Sequence, residues 1–355
     1  MHSRLQHLRS HFEKLDINAF LVSFLPHLRY LSGFSGSSGL GIVTKRSAYL
    51  ITDGRYTEQI KREVRGWEVF IAKNGLFDEL KKQLRSRSGW RIGFDGNTLL
   101  YAQFKLLKKI LPGIKFLPKV EIIDALTAIK DDGEIQKIKR AVEISDRVFI
   151  ELLNVLKPGI TELEIAAEIT YRQRKLGAEG DSFEAIVASS ERSALPHGHA
   201  TRRKIRHHDW ITLDFGCVYE GYRSDLTRTI AIGNPHADAR KIYNIVLDAQ
   251  ERSIEACRSG MKAKDLDAVA RDVIKNRGYG EYFQHSLGHG LGLQVHEAPR
   301  IAKQSKATLE TGNVVTIEPG IYLPGFGGVR IEDVVVVADG HCDVMTRSPK
   351  ELIVL

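Results

Sequence analysis

No stretch of the 355-residue sequence approaches the roughly 18 uninterrupted apolar residues that a membrane-crossing helix needs. Its start, Met1-His-Ser-Arg-Leu-Gln-His-Leu-Arg-Ser10, interrupts hydrophobics with charge and so lacks the apolar core of a signal peptide. Cysteine is scarce. Cys217, Cys257 and Cys342 are odd in number, far apart along the chain and without a CxxC pair, which excludes a disulfide framework and a thiolate zinc site. Low-complexity segments and repeats of solenoid period are missing as well. These absences predict a soluble, cytoplasmic protein with reduced thiols. A 43% hydrophobic content and this length suffice for two globular domains.

The formal charge of +8 is unevenly spread: residues 1–125 hold 21 Lys+Arg against 11 Asp+Glu, and the remainder 31 against 33. Such an excess could serve nucleic acid or an acidic partner. The basic residues are dispersed, as in Lys61-Arg-Glu-Val-Arg65, and no aromatic-interleaved basic motif accompanies them, so a solvated surface is the favoured reading and nucleic-acid binding is not expected.

The first third alternates apolar runs (Ala19-Phe-Leu-Val-Ser23, Ala48-Tyr-Leu-Ile-Thr52, Glu68-Val-Phe-Ile-Ala72, Arg91-Ile-Gly-Phe94) with helical patterns at 57–65, 76–85 and 101–110. That texture predicts a small α/β domain over 1–125. Gly33-Phe-Ser-Gly-Ser-Ser-Gly39 has neither phosphate-loop spacing and reads as a turn before a strand. A second domain, 126–355, opens with a helical pattern over 134–156 that the Pro158-Gly159 pair closes. Thr161-Glu-Leu-Glu164 has the form of a capping box. Strands are expected near 182–188 and 210–232, and helices near 237–258 and 264–276. Two helix-helix-strand blocks, 134–232 and 237–338, suggest pseudo-symmetry.

His285, His289 and His296 crowd into the sixteen residues from His285 to Arg300, among glycines. Asp214 and Asp225 flank a plausible turn at Glu220-Gly221, and a hairpin centred between 219 and 220 would set them directly opposite. Glu318 and Glu332 end or interrupt β-like runs, Val314-Val-Thr-Ile-Glu318 and Gly328-Val-Arg-Ile-Glu332. A carboxylate buried there stays anionic only if it is paired or binds a metal. Taken singly, each glutamate could be a strand-end partner of Arg330 or Arg228.

The order Asp214, Asp225, His289, Glu318, Glu332 resembles the ligand set of the pita-bread metallopeptidases, the group containing prolidase (Xaa-Pro dipeptidase), aminopeptidase P, methionine aminopeptidase and creatinase. Leu28-Arg-Tyr-Leu-Ser-Gly-Phe34 and Thr52-Asp-Gly-Arg-Tyr56 are similar to the creatinase/prolidase-type N-terminal domain. The resemblance implies an α+β pita-bread catalytic domain with pseudo-two-fold symmetry, preceded by a small α/β domain. It implies two divalent metal ions per subunit, Mn²⁺ or Co²⁺ ahead of Zn²⁺: Asp214 on one, Asp225 and Glu332 bridging, His289 and Glu318 completing the second. A hydroxide shared by the ions would attack the Xaa-Pro bond, with Glu318 moving the proton and His197, His285 and His296 flanking the substrate. Arg300 matches an arginine able to clamp the proline carboxylate of a dipeptide; the alternative is a surface pair with Glu297. The expected activity is that of a homodimeric Xaa-Pro dipeptidase. Aminopeptidase P action on longer peptides is the alternative, and an inactive nucleic-acid or protein binding module the remote one.

Overall fold

The computed structural model describes residues 2–355, which divide into two compact units, one ending at Thr127 and one spanning Ala128–Leu355. In the first, strands β1 (Ala19–Val22), β2 (Gly39–Thr44), β3 (Ala48–Asp53), β4 (Glu68–Ala72), β5 (Arg91–Asp95) and β6 (Lys115–Lys119) form one mixed sheet in the order β4-β3-β2-β1-β5-β6. Helices α1 (His2–Ser10), α2 (Phe12–Leu15), α3 (Leu25–Ser32), α4 (Thr57–Glu63), α5 (Leu76–Leu84), α6 (Tyr101–Ile110) and α7 (Ile122–Ala128) accompany it. The expected α/β texture is present. Sequence periodicity overlooked α1, α2, α3, α7 and β6; in β6, Pro118 and two lysines hide the alternation of Lys115-Phe-Leu-Pro-Lys119.

The second unit opens on α8 (Asp132–Leu152), whose N-cap Asp131 accepts from Glu134 N while the Glu134 carboxylate accepts from Asp131 N. Ile138, Ala141, Val142, Ser145, Val148, Phe149 and Leu152 form its buried stripe at helical spacing. The helix ends at Leu152, earlier than the expected 156: Val155 N turns back to Leu152 O, three residues before it, in a tighter final turn, and Pro158-Gly159 belongs to the turn that follows. The Thr161 capping box starts α9 (Glu162–Lys175). Both helices cover a sheet ordered β12-β9-β8, built from β8 (Ile186–Ser189), β9 (Trp210–Phe215) and β12 (Leu226–Ala231), over a core that includes Phe149, Ile165, Leu213 and Ile230. Short strands β7 (Gly180–Asp181), β10 (Cys217–Tyr219) and β11 (Tyr222–Arg223) lie beside it.

The second half repeats the arrangement. Helices α10 (Ala237–Ala256) and α11 (Ala263–Asn276) pack with β13 (Gly288–Gly290), β14 (Glu297–Ile301), β15 (Val314–Ile317), β18 (Asp333–Val337) and β19 (Cys342–Val344), ordered β14-β13-β15-β18-β19. A separate hairpin pairs β16 (Gly320–Leu323) with β17 (Gly327–Arg330). Among the described residues, no helix is long and apolar enough to cross a membrane.

The two halves are locked by Arg228 of β12, which is 1% exposed and donates to Asp333 Oδ1 of β18 at 2.8 Å. Asp333 also accepts from Gln250 Nε2 of α10 at 2.8 Å and pairs with Lys350. Removing the anion from a buried network strands its cations. Asp333→Ala should therefore lower stability by about 3–5 kcal/mol, read as a reduced urea midpoint with an unchanged slope.

Candidate functional site

The 217–224 hairpin fixes the first two carboxylates. Glu220 and Gly221 both have positive φ, 46° and 82°, as a two-residue turn of right-handed twist requires, and Tyr219 pairs with Tyr222. The turn is thus centred between 220 and 221, one residue beyond the expectation. Asp214 consequently faces Thr227 and not Asp225. Asp225 sits two residues from Thr227 and so shares the face of Asp214 diagonally.

On the other sheet, β15 pairs with β18 so that Ile317 faces Asp333, which brings Glu318 and Glu332 together at one end of the ladder. His289 lies in β13 between Gly288 and Gly290. A Cβ on Gly288 would fall 1.9 Å from Thr316 O, and one on Gly290 2.1 Å from Ala298 O, so only glycine permits this approach of backbones.

A cavity of about 810 Å³ gathers Asp214, Asp225, His289, Glu318 and Glu332, and His197, His285, His296 and Arg300 also line it. One ligand atom each from Asp225, His289 and Glu332 lies within 4.8 Å of the others. His289 Nε2 is 3.3 Å from Glu318 Oε1 and 3.8 Å from Asp225 Oδ2. Its Nδ1 faces Gly290 O at 3.1 Å, so that nitrogen donates and Nε2 is the one turned to the carboxylates. Asp214 stands apart from the tightest group: Oδ2 accepts from Arg330 Nη2, while the buried Oδ1 has no hydrogen-bond partner.

Burial and the charges of Glu332, Asp214 and Glu318 push the Asp225 carboxyl well above its usual range. Glu332 is displaced likewise by burial and then by Glu318 and Asp214, although Thr227 Oγ1 donates to its Oε2 at 2.7 Å. Asp214 is raised by burial against the opposing charge of Arg330. Burial acts on Glu318 in the same direction, but the hydrogen bond and charge of His289 outweigh it and hold the group at about 2. An orphaned buried carboxylate oxygen, four carboxylates and one imidazole make an oxygen-rich anionic donor set, which fits divalent cations of hard to intermediate character.

Tyr322 escaped sequence reasoning, and Arg330, weighed there only as a partner of Glu318 or Glu332, pairs instead with Asp214. Arg330 Nη1 donates to Tyr322 Oη at 2.7 Å, and that hydroxyl shares a 2.8 Å hydrogen bond with His285 Nε2. Because His285 Nδ1 meets Ser286 O at 2.8 Å, both its ring nitrogens are engaged and it supports Tyr322 instead of presenting a free nitrogen to substrate. Tyr322, in the hairpin motif Gly320-Ile-Tyr-Leu323, carries no sequence signal for this role. His199, without an assigned role in the sequence, pairs with Glu184 at 3.4 Å on the cavity wall. The Glu297 partner considered for Arg300 is instead taken by Lys130.

A group elsewhere, His27, Asp95 and Asp124, also combines metal-binding residue types. There Nδ1 is 3.9 Å from Asp95 and Nε2 3.4 Å from Asp124, so the ring lies between two carboxylates.

Raised carboxyls bind protons more tightly in the folded chain than in the unfolded one. Their contribution to stability is therefore lost as pH rises from the ordinary carboxylate range through the raised values of Asp225 and Glu332. Adding Mn²⁺ to metal-free protein near neutral pH should expel protons, measured as a buffer-dependent binding enthalpy, and raise the Tm. An enthalpy independent of buffer and an unmoved Tm would count against a cation site here.

Comparison with known proteins agrees with this geometry. Residues 136–339 match metallopeptidase family M24, and residues 4–129 match the creatinase/prolidase N-terminal domain. The chain is 39% identical over 360 residues to the Xaa-Pro dipeptidase of Pyrococcus furiosus, covering 99% of this chain and 100% of that one. Among solved structures, the Xaa-Pro dipeptidase from Bacillus anthracis superposes with a TM-score of 0.97 at 43% identity, covering 99% of each chain. The X-Pro aminopeptidase from Thermotoga maritima gives 0.90 at 41%, covering 97% of this chain and 99% of that one. With its buried carboxylates and histidine at the floor of one cavity, this chain belongs to metallopeptidase family M24 and joins the pita-bread domain of that family to a creatinase/prolidase N-terminal domain.

Proposed function

We propose that the chain is an Xaa-Pro dipeptidase, with residues 126–355 as the catalytic domain and 1–125 as the accessory domain. The observation that carries this reading is the convergence of four carboxylates and His289 on a cavity that also holds His197, His296 and Arg300. Asp214, Asp225, His289, Glu318 and Glu332 would hold two divalent ions. Mn²⁺ or Co²⁺ suits the oxygen-rich donors, and Zn²⁺ is compatible with them. Such ions supply Lewis acidity, lowering the pKa of water and polarising a carbonyl.

The chain's own groups do the rest. Glu318, on the cavity beside His289, accepts a proton from the attacking water and returns it to the proline nitrogen as the C–N bond breaks. His296, whose ring stands edge-on to His289 at 4.4 Å between centroids, meets charge developing on the scissile carbonyl oxygen. His197 closes the leaving-group side. Arg300, exposed on β14 and lining the same cavity, offers a guanidinium fork to the carboxylate of a C-terminal proline. A cytoplasmic homodimer is the setting proposed, on family resemblance.

The likeness to the Thermotoga maritima aminopeptidase supports a second reading, release of the first residue from longer Xaa-Pro peptides. Hydrolysis of Ala-Pro, Met-Pro and Ala-Pro-Ala, measured after chelation and re-addition of Mn²⁺, Co²⁺ or Zn²⁺, separates the two. Cleavage confined to dipeptides is expected; preference for the tripeptide would establish the second reading. Asp225→Asn should reduce hydrolysis to background with loss of bound metal and retention of fold. Arg300→Ala should raise KM for Ala-Pro by ~10–100-fold while leaving that for Ala-Pro-Ala nearly unchanged, and equal effects on both would remove the carboxylate clamp.

A further inference from the structure

The turn that carries His296 is held from beneath by a buried ion pair. Lys130 Nζ donates to Glu297 Oε2 at 2.9 Å, with the two side chains 1% and 3% exposed. Burying two charges in this way is costly, and an apolar pair would serve packing at least as well. The pair is placed where a turn must be fixed. Glu297 Oε1 accepts from Gln294 N at 3.0 Å, and Gly292 N donates to Gln294 O at 3.1 Å. The carboxylate fills the inside of the turn so closely that a Cβ on Gly292 would lie 2.5 Å from Oε2.

Both ends of this support are anchored. Lys130 N donates to Gly312 O at 2.9 Å, which fixes the base of the lysine. Glu297 pairs with Gly290 across β13 and β14, beside His289. On the outside of the turn, Arg223 N and Nε donate to Gly292 O and Leu293 O at 2.9 and 3.2 Å, two residues before Asp225. His296 is the residue directly before Glu297, and no hydrogen bond of its own ring fixes it among the described contacts; its ring rests edge-on against His289.

The geometry points to Lys130 and Glu297 as a positioning pair: the ion pair holds the 292–297 turn so that His296 stands over the carboxylate cluster, and it thereby sets the rate of the chemical step. Glu297 borders the cavity, but its carboxylate, 3% exposed, is turned to Lys130. This inference rests on the role given to His296 in the peptidase reading. It differs from a stabilising role in what it moves, because a misplaced His296 loses transition-state contact while substrate binding elsewhere is retained.

The test is steady-state hydrolysis of Ala-Pro by metal-loaded Glu297→Ala, Lys130→Met and the double variant, alongside wild type, with bound metal counted and folding followed by circular dichroism. We expect kcat to fall at least about tenfold in each single variant with KM within about threefold and metal content unchanged. The double variant should be no worse than the poorer single one, as two residues acting as one unit require. A kcat within twofold of wild type, or a loss that tracks lost metal or lost fold, overturns the inference. A second measurement works without activity: the His296 ring C–H signal of metal-free protein, assigned with His296→Gln, should shift in Glu297→Ala and in the more conservative Glu297→Gln. An unmoved signal also overturns the inference. If wild type cleaves no Xaa-Pro peptide, the peptidase reading fails and the ring signal still decides whether the pair places His296.

Discussion

Carboxylates buried within reach of one another are the constraint on which the catalytic unit depends. Asp214, Asp225 and Glu332 are 8%, 5% and 2% exposed, and Asp225 and Glu332 share one tight group with His289. In a low-dielectric interior such groups repel and lose hydration, so the ionised forms need countercharge. Arg330 supplies part of it by pairing with Asp214, and His289 supplies part by pairing with Glu318. These countercharges do not offset burial and mutual repulsion at Asp225 and Glu332, whose carboxyls remain well above their usual range. A site strained in this manner favours cations, and membership of a metallopeptidase family accords with it.

The scaffold around the cluster explains how the strain is tolerated. Asp214 and Asp225 come from one helix-covered sheet and His289, Glu318 and Glu332 from the other or its margin, so the cavity exists only when both halves are folded. Arg228 joins them, donating to Asp333 and also to the main-chain oxygen of Glu332. Thr227 completes the link through Glu332 N and Oε2. Glycines at 288 and 290 allow His289 to enter between neighbouring strands, where any larger residue would meet a carbonyl oxygen. Polar networks at this depth fix geometry more than they add stability.

Much of this was legible beforehand, and the failures have physical reasons. The helices of the second unit announced themselves through apolar periodicity and, at Thr161, through a capping box; the Asp131 cap of α8 came only from the structure. The hairpin register was misjudged because a turn containing Glu-Gly can be centred on either side of the glutamate, and only the positive φ at both 220 and 221 selects one. The end of α8 was placed too late because Pro158 marks where a helix cannot continue, not where it stops. Tyr322 and Lys130 were invisible: a hairpin register brings Arg330 to Tyr322, and packing of distant segments brings His285 to Tyr322 and Glu297 to Lys130.

The sequence by itself determined the chemistry available: which residue types occur, in the order Asp214, Asp225, His289, Glu318 and Glu332, with glycines where backbones must approach and a domain ahead of them similar to a known family. That information is local, carried by side-chain identity and by spacing along strands and helices. The tertiary structure alone decided which charges neutralise which. It gave Arg330 to Asp214, Lys130 to Glu297 and Arg228 to Asp333, across separations of more than a hundred residues. Coulombic pairing and burial depend on distance in space, and no periodicity along a chain encodes that distance.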